Sequence, residues 1–353
     1  MRMLVTGGAG FIGSNFVRYW LESSPSDEVV VLDALTYAGN RETLKPLEDS
    51  GAISFVHGSI GDQPAVEKLL ETLRIDTIVN FAAESHNSLA VLEPALFFRT
   101  NVLGTQALCD AARHAGVERL HHISTCEVYG DLALDSEESF HESSPYRPRT
   151  PYNASKAGGD HVVRSYYETY GLPVTISNCC NNYGPYQFPE KAIPVFATRA
   201  LAGESLPVYA SADHKREWLH VIDHCRAVEL VLRHGRIGET YHVGSGREAT
   251  VTEIADAVLA AAGASPSLKT TVPDRPGHDR RYLLDSGKIR SELGWEPTVG
   301  FEEGLAETVA WYRDNESWWK PLIGRSPVVE GSWEAARPAR RREADPGAAK
   351  TIA

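Results

Sequence analysis

Cysteine is scarce in this chain, and its five residues offer neither a disulfide framework nor a zinc motif. Their number is odd and no CxxC pair is present, so neither arrangement is expected, nor is any other metal site. Positive charge is also in short supply, because 35 Lys and Arg stand against 47 Asp and Glu, giving a formal net charge of −12. Binding of a nucleic acid usually requires a basic surface, so we expect no nucleic-acid partner.

Long hydrophobic runs are missing as well. No apolar segment approaches the roughly 20 residues that cross a bilayer. Met1 leads almost directly into a short apolar run and a glycine turn, which is not the pattern of a signal peptide. We therefore expect a cytoplasmic protein without a membrane partner. The chain has 353 residues, 42% of them hydrophobic, so it can bury a sizeable core.

Short apolar segments alternate with helical segments over the first 180 or so residues. Because the apolar segments rarely alternate with polar residues, they predict parallel strands covered on both faces. The predicted strands are Met3 to Thr6, Val29 to Asp33, Ser54 to His57, Thr77 to Phe81, His121 to Ser124 and Val174 to Asn178. The predicted helices are Ser14 to Glu22, Gln63 to Leu73, Pro94 to Ala115 and Ser155 to Tyr170. This order predicts an α/β fold with a Rossmann-type doubly wound parallel sheet.

The amino-acid composition changes after Asn182, where Pro and Gly become frequent. We predict a dinucleotide-binding domain over residues 1–181 and a smaller mixed α/β substrate lobe over 182–325, parts of which return to the first domain. Residues 331–353 are rich in Ala, Arg, Pro and Glu and are predicted to form a disordered tail.

A glycine turn follows the first predicted strand, with the spacing Gly7-x-x-Gly10-x-x-Gly13. Gly7 permits the tight turn, Gly10 lets the backbone approach a pyrophosphate, and Gly13 lets the helix meet the strand. The second predicted strand ends in Asp33, whose carboxylate can accept hydrogen bonds from ribose hydroxyls and would repel a 2′-phosphate. The two features together predict NAD rather than NADP.

Tyr152 and Lys156 are four residues apart, on one face of a predicted helix. A neighbouring ammonium group favours the phenolate of a tyrosine, which can then remove a hydroxyl proton while hydride leaves the same carbon. A predicted strand ends just before Thr125 and Glu127, and strand ends of this kind line the ligand crevice. Thr125 can bind the reacting hydroxyl, and Glu127 is a candidate base for a proton made acidic by a carbonyl.

These residues resemble the dTDP-glucose 4,6-dehydratases, and the resemblance extends to about residue 320. It is carried by Thr6 to Gly13, Leu35 to Asn40, Ala82 to His86, Glu127 to Asp131, Tyr152 to Lys156, Asn181 to Tyr186, Phe188 to Lys191, Arg216 to Leu219 and Arg275 to Asp279. The resemblance implies that Tyr152, Thr125 and Lys156 oxidise a hexose at C4. Glu127 then removes the C5 proton as water leaves C6, and hydride returns to C6.

The resemblance also implies two sets of binding residues. The cofactor set is Gly7, Gly10, Phe11, Ile12, Gly13, Asp33, Ser59, Ile60, Ala82, Tyr152, Lys156 and Asn178. The set for the dTDP- or UDP-hexose is His86, Asn181, Glu190, Lys191, Pro207, Tyr209, Arg216, Arg275 and His278. The helical segments Pro94 to Ala115 and Ser155 to Tyr170 resemble those that form dimer interfaces in this superfamily, so a homodimer is expected.

The chain departs from the family pattern at Cys126, where the family has Asp as the proposed acid for the C6 hydroxyl. Three outcomes remain open. Water or Cys126 itself supplies the proton, and 4,6-dehydration proceeds; or hydride returns to C4 and leaves a 5,6-ene; or elimination is lost, and the enzyme is a C4 or C5 epimerase. A fourth interpretation is an inert cysteine packed under the sugar.

Two further segments depart from the family pattern. After His86 the family continues Val-Asp-Arg-Ser, whereas this chain has Asn87-Ser88-Leu89-Ala90 near the expected hexose site. An Asp is common at the position of Ser59, in the stretch expected to contact adenine. A non-catalytic NAD-binding protein is the remaining alternative, and the intact Thr125, Tyr152 and Lys156 argue against it.

Overall fold

The computed structural model describes residues 1–274, 277 and 279–328 of the chain. Within them the strands are β1 (Arg2–Thr6), β2 (Glu28–Asp33), β3 (Ile53–His57), β4 (Thr77–Asn80), β5 (Arg119–Thr125), β6 (Val174–Cys179), β7 (Asn181–Tyr183), β8 (Leu206–Tyr209), β9 (Lys215–His220), β10 (Thr240–Val243), β11 (Glu248–Thr250) and β12 (Lys269–Val272). The helices are α1 (Phe11–Ser23), α2 (Lys45–Asp49), α3 (Gln63–Leu73), α4 (Asn87–Leu92), α5 (Pro94–Phe98), α6 (Thr105–Ala115), α7 (Pro151–Tyr170), α8 (Ala192–Ala202), α9 (Val221–His234), α10 (Val251–Ala262), α11 (Gly287–Leu293), α12 (Phe301–Asp314) and α13 (Glu316–Trp319).

Seven strands form one parallel sheet in the order β10-β6-β5-β4-β1-β2-β3. The strands are apolar on both faces because helices cover both. One face packs against α1 and α9, through side chains such as Phe16, Trp20 and Val228. The other packs against α3, α6 and α7, through side chains such as Leu70, Leu108 and Val163. The predicted doubly wound α/β sheet is thus confirmed.

The strands that follow β1 are added first on one side of it and then on the other, so β1 lies between β2 and β4. In an open α/β sheet, a crevice for ligands opens outside the carboxyl ends of the strands at such a switch point. The glycine turn after β1 and Asp33 at the end of β2 both lie at this edge.

The smaller lobe has a core of its own, made by α8, α10 and α12 with Trp218 and Leu206 of the adjoining strands. A three-stranded sheet (β11-β9-β7) and the pair β12-β8 complete it. The chain after residue 182 also returns to the first layer, because β10 adds the outermost strand beside β6.

The segment Pro94 to Ala115 is not one regular helix as predicted. A π-helical turn over Arg99–Gly104 separates α5 from α6. Asn101 in this turn donates to the carbonyl of Glu84 and to Ser155 Oγ, and its Oδ1 accepts from the Glu84 N–H. The widened turn therefore ties the crevice segment at Glu84 to α7, a common use of π-turns near functional sites.

Candidate active site

A cavity of about 560 Å³ opens between the carboxyl edge of the large sheet and the smaller lobe. Every described residue that was predicted for the site lines it, except Cys126 and Asn178. The lining residues from the first domain are Gly7, Gly10, Phe11, Ile12, Gly13, Asp33, Ser59, Ile60, Ala82, His86, Thr125, Glu127, Tyr152 and Lys156, and those from the lobe side are Asn181, Glu190, Lys191, Pro207, Tyr209 and Arg216. Arg275 and His278 lie outside the described residues.

The backbone of the glycine turn packs so closely that Gly7 and Gly13 leave no space for a side chain. Gly7 has φ +67°, and a Cβ there would lie 2.6 Å from the backbone nitrogen of Ala82. A Cβ on Gly13 would lie 2.4 Å from the carbonyl oxygen of Gly7. Gly10 precedes α1 and offers no side chain to cap it, so the N–H groups of the first turn can bind an anion such as a diphosphate.

Asp33 is held by two backbone N–H groups at the end of β2. Its Oδ2 accepts from Ala9 N at 2.9 Å and its Oδ1 from Leu35 N at 2.7 Å. Burial raises the pKa of this carboxyl, and the two N–H groups oppose that shift. Each oxygen keeps a further lone pair, so the carboxylate can still accept hydrogen bonds from the hydroxyls of a ribose.

Tyr152 and Lys156 project from α7 into the cavity, beside the end of β5. Lys156 Nζ donates to the carbonyl of Ile123 at 2.7 Å, and burial lowers the pKa of this ammonium group. Burial and the nearby Glu127 carboxylate raise the pKa of Tyr152 well above 10, whereas a hydrogen bond with Thr125 lowers it. Ionising Tyr152 therefore calls for more positive charge beside the phenol, which a bound cationic ring would supply.

Glu127 lies on the short 3₁₀ turn that follows β5. Thr125 caps this turn, because its Oγ1 accepts from the Glu127 N–H at 3.2 Å. The Glu127 side chain is 9% exposed and faces the cavity, where Asn87 Nδ2 lies 3.4 Å from its Oε2. A carboxylate, a phenol and a threonine hydroxyl thus share one wall of the cavity.

The opposite wall carries the positive charges of the lobe. Arg216 on β9 places its guanidinium 4.6 Å from the Tyr282 ring centre and donates to the carbonyls of Lys215, Asp279 and Arg280. These bonds use three of its five N–H groups, which leaves donors for an anionic ligand. Lys191, at the start of α8, donates to the Ser85 carbonyl at 2.7 Å and so joins the lobe to the first domain.

Comparisons with known proteins show the family of this chain. The family model for GDP-mannose 4,6 dehydratase matches residues 4–308. The dTDP-glucose 4,6-dehydratase of Streptomyces niveus is 50% identical over 341 residues, which cover 96% of this chain and 100% of that protein. The crystal structure of the dTDP-glucose 4,6-dehydratase of Streptomyces venezuelae, with NAD and dTDP bound, is 52% identical with a TM-score of 0.88, covering 91% of this chain and 100% of that one. This chain belongs to the dTDP-glucose 4,6-dehydratase family.

Epimerases share the fold at lower identity. The UDP-glucose 4-epimerase of Thermus thermophilus, solved with NAD, is 35% identical with a TM-score of 0.82 and covers 89% of this chain and 100% of that one. The membership of this chain in the dehydratase family therefore rests on its higher identity to the dehydratases.

The structure corrects the prediction that Cys126 is a catalytic residue, because the Cys126 side chain does not line the cavity. This side chain is 1% exposed and packs in an apolar cluster with Val128, Leu219 and Tyr241. Thr125 ends β5 and Cys126 begins the 3₁₀ turn, where successive side chains point in directions about 120° apart. Thr125 and Glu127 therefore line the cavity while Cys126 packs into the apolar cluster. Burial raises the pKa of the Cys126 thiol well above 9.

The structure also corrects the prediction that Asn178 binds the cofactor. Asn178 is completely buried in β6 and is not part of the cavity wall. Its Nδ2 donates to the carbonyl of Thr125 at 3.1 Å and lies 3.4 Å from Asp160 Oδ2. Asn178 thus supports Thr125 from behind rather than reaching the cavity.

Several lining residues, Glu84 and Asn87 among them, were not predicted from the sequence as site residues, whereas the neighbouring Glu190 and His86 were. Glu84 and Glu190 are both buried, and burial together with their mutual repulsion raises the pKa of Glu84. Tyr37 donates to Glu190 Oε1 at 2.9 Å, and Glu190 Oε2 lies 3.6 Å from His86 Nε2. The chain also returns to this region near its end, because Val328 packs against the cluster that contains Tyr152. Contacts of this kind leave no periodic or spacing signal in a sequence.

The described residues contain neither a membrane-spanning helix nor a cluster of metal ligands. Across residues 1–274, 277 and 279–328, no helix combines the length and the apolar character needed to span a bilayer. In the same part of the chain, no group of three or more His, Cys, Asp or Glu side chains could hold a metal ion.

Proposed function

We propose that this protein is an NAD-dependent dTDP-glucose 4,6-dehydratase that releases a 4-keto-6-deoxy sugar nucleotide. The observation that carries the proposal is the convergence of Thr125, Glu127, Tyr152 and Lys156 on one cavity that also contains a glycine turn. The residues fit NAD, because the uncapped N–H groups at the start of α1 can bind its diphosphate and Asp33 can hold a ribose. The cavity also suits a polar ligand, since buried polar atoms of Gln187, Glu190 and Trp218 have no hydrogen-bond partner within the described residues.

The roles of the residues follow from their chemistry. Bound NAD would accept hydride from C4 of the hexose and return hydride to C6, so no external oxidant is needed. Tyr152 takes the proton of the C4 hydroxyl, with Thr125 as its hydrogen-bond partner and Lys156 nearby. Arg216 and Lys191 face the diphosphate, for which a guanidinium is well suited.

Glu127 carries the elimination step. Its carboxylate removes the C5 proton, which the C4 ketone makes acidic, and the C5–H electrons form the new double bond as the C6–O bond breaks. The departing hydroxide needs a proton to become water. Because the Cys126 thiol packs in the apolar cluster and does not line the cavity, we assign this proton to the carboxylic acid that Glu127 has just become. When hydride reaches C6, C5 takes up a proton from solvent through Glu127, and Tyr152 releases the proton that it took from the C4 hydroxyl, so the cycle loses one water and no other atom.

The proposal is tested by incubating the purified protein with dTDP-glucose and with UDP-glucose and identifying the products by mass and NMR. We expect dTDP-glucose to lose one water and to give the signals of a C6 methyl group beside a ketone. A vinylic proton signal would show that the enzyme forms a 5,6-ene and does not complete 4,6-dehydration. A changed sugar of unchanged mass would identify an epimerase instead.

Replacing Cys126 with alanine is expected to leave kcat within about threefold of the native value, because the thiol faces the core and not the sugar. The smaller side chain should lower stability by about 1–2 kcal/mol through the space it leaves. Turnover of dTDP-glucose and the midpoint of urea unfolding measure the two effects. A loss of kcat of a hundredfold or more would mean that the thiol protonates the leaving group after all.

We also propose that the protein acts as a homodimer in the cytoplasm. Large apolar side chains are exposed on the two helical segments expected at the interface: Phe98 is 42% exposed, Leu103 61% and Tyr170 55%. Large apolar side chains exposed on both segments would favour association through these helices. Five free, buried cysteines also suit a reducing compartment.

Leu103→Glu should therefore weaken the dimer, because the interface would bury a charge without a partner. We expect the dissociation constant to rise about a hundredfold, measured by light scattering over a dilution series. Ile323→Glu is the matched control, since Ile323 is 57% exposed and lies outside both helical segments. A native protein that scatters as a monomer would refute the dimer.

A further inference from the structure

Asn87 is a polar residue of the cavity wall whose side chain contacts the proposed base. It is the first residue of α4, and its Nδ2 lies 3.4 Å from Glu127 Oε2, across a separation of 40 residues in the chain. Its Oδ1 is buried and has no hydrogen-bond partner within residues 1–274, 277 and 279–328. Within the described residues, the Asn87 amide is therefore bonded through its NH₂ group and not through its carbonyl oxygen.

The carboxylate determines how the amide is oriented. An ionised carboxylate only accepts hydrogen bonds, so the group of Asn87 that faces Glu127 is the NH₂. This orientation directs the carbonyl oxygen elsewhere, and buried polar atoms are rarely left without a partner in the working state of a protein. Because Asn87 lines the cavity, a donor on a bound ligand can supply that partner.

The position of Asn87 is fixed by the packing of the helix that it begins, α4. The residues that follow it in α4, Leu89 and Ala90, are buried in one cluster with Phe97 and Tyr152. α4 thus packs against the same helix that carries Tyr152, so Asn87 is placed with respect to both proposed catalytic groups. A residue held in this way can orient a carboxylate more precisely than a residue on a mobile loop.

We propose that Asn87 is a positioning and specificity-determining residue: its NH₂ orients the Glu127 carboxylate, and its carbonyl oxygen accepts a hydrogen bond from the C6 hydroxyl of the hexose. This inference rests on the proposed function. C6 is bonded to C5, the carbon that Glu127 deprotonates, so the C6 hydroxyl is the sugar donor nearest to this carboxylate that is not assigned to Tyr152. The valine that the family pattern has at this position can make neither bond.

Two substitutions separate the two halves of the proposal. Asn87→Val removes both hydrogen bonds, whereas Asn87→Asp keeps an acceptor but replaces the donor with a charge that repels Glu127. In both variants we expect the elimination step to slow by about tenfold or more, while the first appearance of reduced nicotinamide after mixing with dTDP-glucose stays within about twofold. Asn315→Val is the matched control, because Asn315 caps a helix end outside the cavity wall.

The second measurement concerns binding. The affinity for dTDP-6-deoxyglucose, which lacks the C6 hydroxyl, is compared with the affinity for dTDP-glucose in each variant. We expect the missing hydroxyl to weaken binding about fivefold in the native protein and in Asn87→Asp, but to make no difference in Asn87→Val.

The outcomes of these experiments separate this inference from the proposed function. If the native protein does not dehydrate dTDP-glucose, the proposed function fails and the inference fails with it. If the native protein does so and Asn87→Val eliminates water at the native rate, the inference alone is overturned. Equal slowing of the hydride and elimination steps would also overturn it, because that result indicates a general structural defect.

Discussion

Replacing Tyr152 with phenylalanine is expected to lower kcat for dTDP-glucose by about 10³- to 10⁴-fold, because the phenol oxygen is the proposed base for oxidation at C4. The substitution removes one oxygen and keeps the ring, which packs edge-on against Phe97 at 6.2 Å between ring centres. Binding of NAD should stay within about threefold, since the glycine turn and Asp33 are untouched. Stopped-flow absorbance of reduced nicotinamide measures the step directly.

Tyr166→Phe is the matched control for this substitution. Tyr166 lies on the same helix, and its hydroxyl accepts from Gln106 Nε2 at 3.2 Å, away from the cavity. We expect nearly native turnover from this variant. Nearly native turnover by Tyr152→Phe as well would remove Tyr152 from the chemistry and leave the proposed oxidation at C4 without its base.

Glu127→Gln should block the reaction one step later. The amide keeps the shape of the side chain but cannot accept the C5 proton, so overall turnover should fall by about 10³-fold. Oxidation at C4 precedes the elimination and does not use Glu127. Reduced nicotinamide should therefore form at a nearly native rate and persist, because the hydride has no acceptor at C6.

The persistence of reduced nicotinamide is the internal control for Glu127→Gln, because it shows that the variant still binds and oxidises the sugar. A second readout is exchange of the C5 hydrogen with deuterium from solvent, which the variant should lose. A variant that fails to form reduced nicotinamide would indicate that Glu127 supports binding or oxidation rather than elimination. Native exchange at C5 would assign the proton transfer to another group.

The strands of the large sheet could largely be predicted because a covered parallel sheet makes each strand an apolar run. β1 to β6 were predicted to within two residues at each end. β10 was missed: its four residues, Thr240–Val243, include a histidine and follow the lobe, far along the chain from its neighbour β6. The π-turn at Arg99–Gly104 was missed because it depends on bonds from Asn101 to distant residues, which no local pattern encodes.

The site was predictable where chemistry dictates a spacing. The glycines around Gly10 and the pair Tyr152 and Lys156 have such spacings, and the structure places all of them on the cavity. The direction of a side chain is a different matter. Cys126 stands between two residues of the cavity wall, but its position in the sequence does not reveal that it faces the core. The contact of Asn87 with Glu127 likewise depends on how α4 meets the 3₁₀ turn that follows β5.

The central step of the proposed reaction is the transfer of one hydride from C4 to C6 within a single cavity. dTDP-glucose carrying deuterium at C4 tests this directly, with the position of the label in the product read by NMR. We predict that the deuterium appears in the C6 methyl group, as an intramolecular transfer requires. Deuterium that remains at C4, whether in a 5,6-ene or in an epimerised sugar, would contradict the proposed 4,6-dehydration.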